Sequence, residues 1–290
     1  MEHKKYRDIE RLKENNADTF QSGEYITITE KADGSNCAIR YDSETDSIVA
    51  QSRNKILDEA ENLRGFYQYA QTLDKNLVKK FLGDDLILCG EWLVSHNVKY
   101  PDNAYNKMYV FDVYSISQDK YLDTKIAFTI ANNLGLPVVP TFYEGMFISY
   151  EHCMSFVGKT ALGGEYGEGI VIKGDNNKAI KIVSERFAET KKLKKTPTPE
   201  ELAAQSQAME IASSIVTEAR VRKIILKLVD EGIIPETWDE HDLGTLAKNL
   251  PKRIFEDCLK EEPETVKLIE KEFGKLASRI AMTYAKSFIK

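Results

Sequence analysis

The chain has 290 residues and a formal net charge of −6, with 42% hydrophobic and 30% charged residues. That length allows two domains and a well-buried core, no apolar run is long enough to span a bilayer, and the acidic balance excludes a protein coated all over in nucleic acid while leaving room for a local basic groove. The charged stretch Met1-Glu2-His3-Lys4-Lys5 is not a secretory leader, and Cys37, Cys89, Cys153 and Cys258 stand far apart without a CxxC pair. Together these predict a cytoplasmic chain with reduced thiols and no structural zinc site.

Residues 6–15 carry Ile9 and Leu12 among charges and predict a short helix. Strands are predicted at 25–29 and 37–41, and Asp33-Gly34 between them is a hairpin signal, because Gly takes positive φ without a Cβ clash. Residues 47–54 predict a strand with a polar tip. Residues 57–82 carry Leu63, Phe66, Ala70, Leu73, Leu77 and Phe81 at helical spacings and predict one long helix. Strands are predicted at 86–92 and 107–114, and a helix at 123–134 stopped by Gly135 and Pro137. The flexible loop 163–167 feeds a strand at 168–173, and Gly174-Asp175-Asn176-Asn177 turns it into a partner at 179–183. These elements predict an α+β unit on a mostly antiparallel sheet.

The character changes near residue 190. A basic run, Lys191-Lys192-Leu193-Lys194-Lys195, precedes the stiff Thr196-Pro197-Thr198-Pro199. Helical patterns follow at 199–213, 215–231, 240–248, 251–259 and 263–287, with Thr198, Pro199 and Glu201 forming a helix start. The domains expected are 1–195, and an all-helical 196–290.

Short motifs stand in order along the first unit: Lys31-Ala32-Asp33-Gly34, Ser52-Arg53, Gly90-Glu91, Phe111-Asp112, Glu168-Gly169 with Lys173, and Lys181. Taken singly they are weak. Phe111 in an apolar strand reads as core, Glu91 and Glu168 as strand-end tips, and Lys173 and Lys181 as lysines that protect a sheet edge. His96 and His152 show no partner in the sequence. Taken together, the motifs over residues 24–185 resemble the covalent nucleotidyltransferases: DNA and RNA ligases and messenger-RNA capping enzymes. Glu30 before the lysine and Ser35-Asn36 after it are most similar to RNA ligases of the type-two phage and kinetoplastid editing group.

The resemblance implies an antiparallel-sheet nucleotidyltransferase domain, of the ATP-grasp-like ligase kind, followed by the helical domain. It implies an ATP-dependent RNA ligase with Mg2+ or Mn2+ as metal, joining 3′-hydroxyl and 5′-phosphate RNA ends, and we expect a monomer. Lys31 is implied as the nucleophile that takes AMP. A lysine amine has a pKa of about 10.4, so nearby cations must favour its neutral form. A divalent metal with Lys173 and Lys181 is expected to supply that field and to offset charge on the α-phosphate. Arg53 is implied to contact the nucleotide or an RNA phosphate, Glu91 the ribose, and Phe111 the base, with Asp112 beside it. Glu168 is implied to serve the metal, Glu30 to read the adenine edge through its backbone, and Asn36 to touch the α-phosphate or metal.

Two departures stand out. The family often shows Lys-x-Lys in its last motif, whereas Lys181 is followed by Ile182-Val183, leaving Lys178 as a poorly spaced substitute. The region beyond 198 is helical, where DNA ligases and capping enzymes continue into a β-barrel. Lys191, Lys192, Lys194, Lys195, Arg220, Arg222 and Lys223 are candidate phosphate contacts. The alternatives are a DNA ligase, a GTP-dependent capping-type enzyme, or an inactive RNA-binding module.

Overall fold

Alternation along residues 25–31 sets up the first sheet: Ile26, Ile28 and Glu30 point one way, and Thr27, Thr29 and Lys31 the other. The computed structural model describes residues 3–187 and 205–289. Its contacts divide the chain into two units, Met1–Ser184 and Glu185–Lys290. The boundary expected at 195/196 and the basic run before it lie outside the described residues.

In the first unit the strands are β1 (Glu10–Arg11), β2 (Tyr25–Lys31), β3 (Ser35–Asp42), β4 (Ser47–Ser52), β5 (Leu86–Trp92), β6 (Met108–Ser115), β7 (Lys120–Tyr121), β8 (Thr141–Met146), β9 (Gly169–Gly174) and β10 (Ala179–Val183). They form two sheets, ordered β1-β10-β9-β2-β8 and β4-β3-β5-β6-β7. All neighbours are antiparallel except β1 on β10. The helices are α1 (Phe66–Gln71), α2 (Lys75–Leu82), α3 (Thr124–Asn133) and α4 (Tyr150–Met154).

Each sheet buries one face in its own core. Ile26, Ile28, Ile170, Ile172 and Ile180 of the first sheet pack with Phe20, Phe147 and Cys153. Cys37, Ile39 and Tyr41 of the second pack on α1, α2 and α3. The opposite faces carry the polar residues of the site.

The expected hairpin at Asp33-Gly34 does not form. β2 and β3 lie in different sheets, so the turn hands the chain from one sheet to the other. Gly34 is needed for close approach, not for φ: a Cβ there would meet the Trp92 carbonyl oxygen at 2.5 Å.

The expected helix at 6–15 is also absent. Residues 3–12 run extended as a strap, with Tyr6 and Ile9 on the second sheet's open face and Leu12 in the first sheet's core. The i, i+3 spacing of Ile9 and Leu12 served two cores, not one helix face. The single helix expected over 57–82 is two helices. Leu63, Arg64 and Gly65 all have positive φ, and Asp74 caps α2 through the amides of Asn76 and Leu77. β7, β8 and α4 were not predicted.

The second unit contains α5 (Gln205–Ile215), α6 (Glu218–Asp230), α7 (Leu243–Glu261), α8 (Pro263–Leu268) and α9 (Glu270–Phe288). The two helices expected at 240–248 and 251–259 are the single α7, which runs through Pro251. The one expected at 263–287 is split at Ile269. Arg220 is fully buried, its Nε 3.0 Å from Asp257 and its Nη1 donating to the Ile215 carbonyl at 2.7 Å. This corrects its assignment as a phosphate contact. Arg222 is exposed and paired with Glu218.

Candidate active site

Register places the lysines. Lys31 pairs with Gly169 and, beyond it, Val183; Thr29 with Val171 and Lys181; Thr27 with Lys173 and Ala179. Side chains alternate along a strand, so Lys31, Lys173 and Lys181 share the face opposite the isoleucine core. Val183, where the family's second lysine would stand, is in the Lys31 row. Lys178 pairs with Glu24 at 2.5 Å, before β10 begins, and is no substitute.

Lys31 Nζ donates to Glu168 Oε2 at 2.5 Å, with the lysine side chain 25% exposed and the glutamate 10%. Glu168 immediately precedes β9, and its carbonyl accepts the Ser184 amide. Burial disfavours the Lys31 ammonium, but Glu168, Glu91 and Asp33 outweigh it and raise the pKa above the ordinary lysine value. Without substrate, then, the groups nearest the amine are carboxylates, which favour its charged form. Burial pushes Glu91 up to about 8, with Lys31 opposing and Glu168 and Asp33 adding to the rise. One Glu91 oxygen accepts the Gly34 amide at 3.1 Å, and Asn36 stands directly opposite Glu91 across β3 and β5.

Asp33 does more than shape a turn. Its carboxylate accepts the Val98 amide at 2.7 Å, and its own amide donates to the Tyr100 hydroxyl at 3.0 Å. His96, on the same loop, lies 3.3 Å from the Ser35 hydroxyl, and burial pulls its pKa down to about 3.

Phe111 and Asp112 face the same side because of a β-bulge. Cys89 pairs with Asp112 but Gly90 with Val110, so Phe111 is the extra residue. Asp112 accepts from the Tyr6 hydroxyl at 2.9 Å and pairs with Lys173 at 3.0 Å, linking the two sheets. Burial lowers the Lys173 pKa against the pull of Asp112. The Phe111 ring lies 5.1 Å from the Tyr6 ring, edge to face, with Lys173 Nζ 5.4 Å from its centroid. Tyr6 and Arg7 were missed in the sequence, since they precede the resemblance and have no motif. Arg7 reaches Asp112 at 3.5 Å and stacks over Tyr121.

Two predicted residues are held elsewhere. Arg53 pairs with Asp8 of the strap. The Glu30 carboxylate turns away from Lys31 and its amide already donates to the Pro140 carbonyl at 2.8 Å, so that N–H is not free to read a base. Among the described residues, no group of three or more His, Cys, Asp or Glu is arranged to hold a metal, and no helix is long and apolar enough to cross a membrane.

This two-sheet unit, with its lysine set against carboxylates, coincides with one recognised family. The RNA ligase family model matches residues 24–188, and the chain belongs to that family. Solved structures similar to it include an apo mutant of Naegleria gruberi RNA ligase, at 21% identity and TM-score 0.48, covering 62% of this chain and 56% of that one. A mutant of the same ligase with ATP and Mn gives 20%, 0.47, 64% and 57%, and one with AMP and Mn gives 20%, 0.46, 62% and 56%. The chain thus spans a little over half the length of those solved chains. No curated protein matches it.

Proposed function

We propose that the protein is an ATP-dependent RNA ligase whose first unit is a nucleotidyltransferase domain. The observation that supports this most is the Lys31 amine set on Glu168 within the family-matched region. The Lys31 amine attacks the α-phosphorus of ATP, forming a phosphoramide and releasing pyrophosphate. AMP then passes to an RNA 5′-phosphate, and a 3′-hydroxyl attacks that adenylate, joining the ends and releasing AMP.

The chain's residues divide this work. Glu168 holds Lys31 as an ammonium before substrate arrives, so the amine must lose a proton to attack. Phe111 and Val171, on facing sheets, are proposed as the walls of the base site. The buried Lys173–Asp112 pair closes that site, and Glu91 with Asn36 faces the ribose and α-phosphate. Lys181 supplies positive charge toward the phosphates. A ready-made cage is not needed for Mg2+ or Mn2+, which is bound through one or two carboxylates plus substrate phosphates, and Glu168 fits that role. Bound there, the metal would favour the neutral amine and offset phosphate charge.

The test is the intact mass after incubation with Mg2+ and either ATP or GTP, followed by nicked and single-stranded RNA and DNA bearing 5′-phosphates. An adenylate adduct that discharges into joined RNA is expected. No adduct, a larger guanylate adduct, or better sealing of DNA would refute the reading.

A further inference from the structure

Glu30 is 1% exposed, on the isoleucine side of β2, and its carboxylate bonds to one loop. Its Oε1 accepts from the Thr160 hydroxyl at 2.6 Å, and its Oε2 accepts the amides of Ala161 at 2.7 Å and Leu162 at 3.1 Å. Burial raises its pKa in spite of those three bonds.

That loop runs from Gly158 to Gly167 and ends at Glu168. It also rests on the loop 95–101, because Cβ atoms on Gly163 and Gly164 would strike Pro101 and the Lys99 carbonyl. Loop 95–101 is in turn tied to Asp33 through Val98 and Tyr100. The contacts close a ring: β2, the loop before Glu168, the loop after β5, and back to the Lys31 turn. Within the loop the Gly167 amide donates to the Gly158 carbonyl at 2.8 Å and the Thr160 hydroxyl lies 3.0 Å from the Gly163 carbonyl, so the loop holds its own shape and needs a tie to β2. The Glu30 carboxylate is the anchor.

We propose that Glu30 is a positioning residue whose carboxylate, by three hydrogen bonds, fixes the loop that delivers Glu168 to Lys31. Its kinetic consequence rests on the reading of Lys31 as the adenylylated residue; its structural consequence does not.

The test uses the full chain with Glu30→Ala, Glu30→Gln and Thr160→Val, reading amide hydrogen exchange at Ala161 and Leu162 and the single-turnover rate of adduct formation with ATP and Mg2+. Glu30→Ala should deprotect both amides and slow adduct formation by about ten- to a hundredfold, the worth of a charge-assisted bond. Half-saturating ATP should stay within about threefold, since the side chain faces away from the base site. Glu30→Gln should restore protection and most of the rate. Its amide oxygen can accept from both backbone N–H groups while its NH2 donates to Thr160, whose proton then goes to the Gly163 carbonyl, 3.0 Å away.

Glutamine failing as badly as alanine would overturn the proposal, because the charge would then matter more than the bonds. So would a rise in half-saturating ATP with both amides still protected. Where circular dichroism shows Glu30→Ala unfolded, Thr160→Val decides: partial deprotection supports the anchor and unchanged protection refutes it. A wild-type protein that forms no adduct refutes the proposed function, while the exchange result still judges the loop.

Discussion

Lys31 and Glu168, 137 residues apart in sequence, meet with 2.5 Å between Nζ and Oε2. The pair stores the lysine in its unreactive, protonated form, since the carboxylates raise its pKa. In the ligand-free protein at pH 8, Lys31 should therefore acylate more slowly than exposed lysines. Glu168→Gln removes the largest raising charge, so the amine's pKa falls and its labelling at fixed pH should increase, about tenfold per pKa unit. Peptide mapping after brief acylation measures this. Equal or slower labelling in the variant would contradict the electrostatic account.

Lys181 and Lys178 should differ sharply. Lys181 stands in the Thr29–Val171 row of the lysine face, whereas Lys178 is engaged by Glu24. Lys181→Ala should cut adduct formation by about tenfold or more, and Lys178→Ala by less than about twofold. Similar losses in the two would mean that β10 does not present Lys181 to the nucleotide.

Glu91 should tie stability to pH. An unfolded glutamate loses its proton near pH 4.3, and Glu91 in the folded chain keeps it to about 8. Between those values the unfolded state binds fewer protons, so the contribution of Glu91 to stability falls as pH rises from about 5 to about 8. The raised Lys31 acts only at higher pH. His96, held neutral to about pH 3, works the other way below about pH 6.5, so thermal melts of the ligand-free chain should show Tm dropping between about pH 6.5 and 8, and Glu91→Gln should flatten that slope. An unchanged slope in the variant would sink the claim.

How much of this was legible beforehand varied with the distance over which residues cooperate. The strands around Lys31, Glu91 and Glu168 were readable because alternation and β-branched content are local. The helix at 123–134 was readable from its stop signals, and it stands with Asp123 as its cap. The strap was not, because Tyr6 and Ile9 serve one core and Leu12 another, a division with no local period. The Asp33-Gly34 turn looked like a hairpin because composition reports a turn, not which sheet receives the next strand. Arg220 looked solvated because its partners, Asp257 and Cys258, lie on a different helix. Glu30 was read by its place beside Lys31, whereas alternation already put its side chain on the other face.

Arg220 should be a stability residue. Arg220→Met leaves Asp257 without its buried partner, and breaking such a pair costs about 3–5 kcal/mol. Urea unfolding of the full chain followed by circular dichroism measures it. A loss under about 1 kcal/mol would show the ion pair to be incidental.

Cutting after Lys195 should separate the proposed steps. The predicted nucleotide residues all precede residue 185, so fragment 1–195 should form the adduct, while sealing of 5′-phosphorylated RNA should fall far more. Circular dichroism checks that the fragment is folded. A folded fragment that seals RNA as well as the full chain would refute this division.

The two sheets draw on the chain very differently. The second uses one continuous stretch, from Ser35 to Tyr121, whereas the first combines β1 and β2 with strands from Thr141 onward. During synthesis the second sheet can pair as soon as its own residues emerge. β2 must wait for β8 and β9, and β1 for β10, so the nascent chain carries a Lys31 strand with no partner until β8 (Thr141–Met146) and with one edge open until β9 (Gly169–Gly174) has left the ribosome. A strand left open that long is exposed to wrong partners, and translation speed through residues 121–174 becomes a determinant of yield.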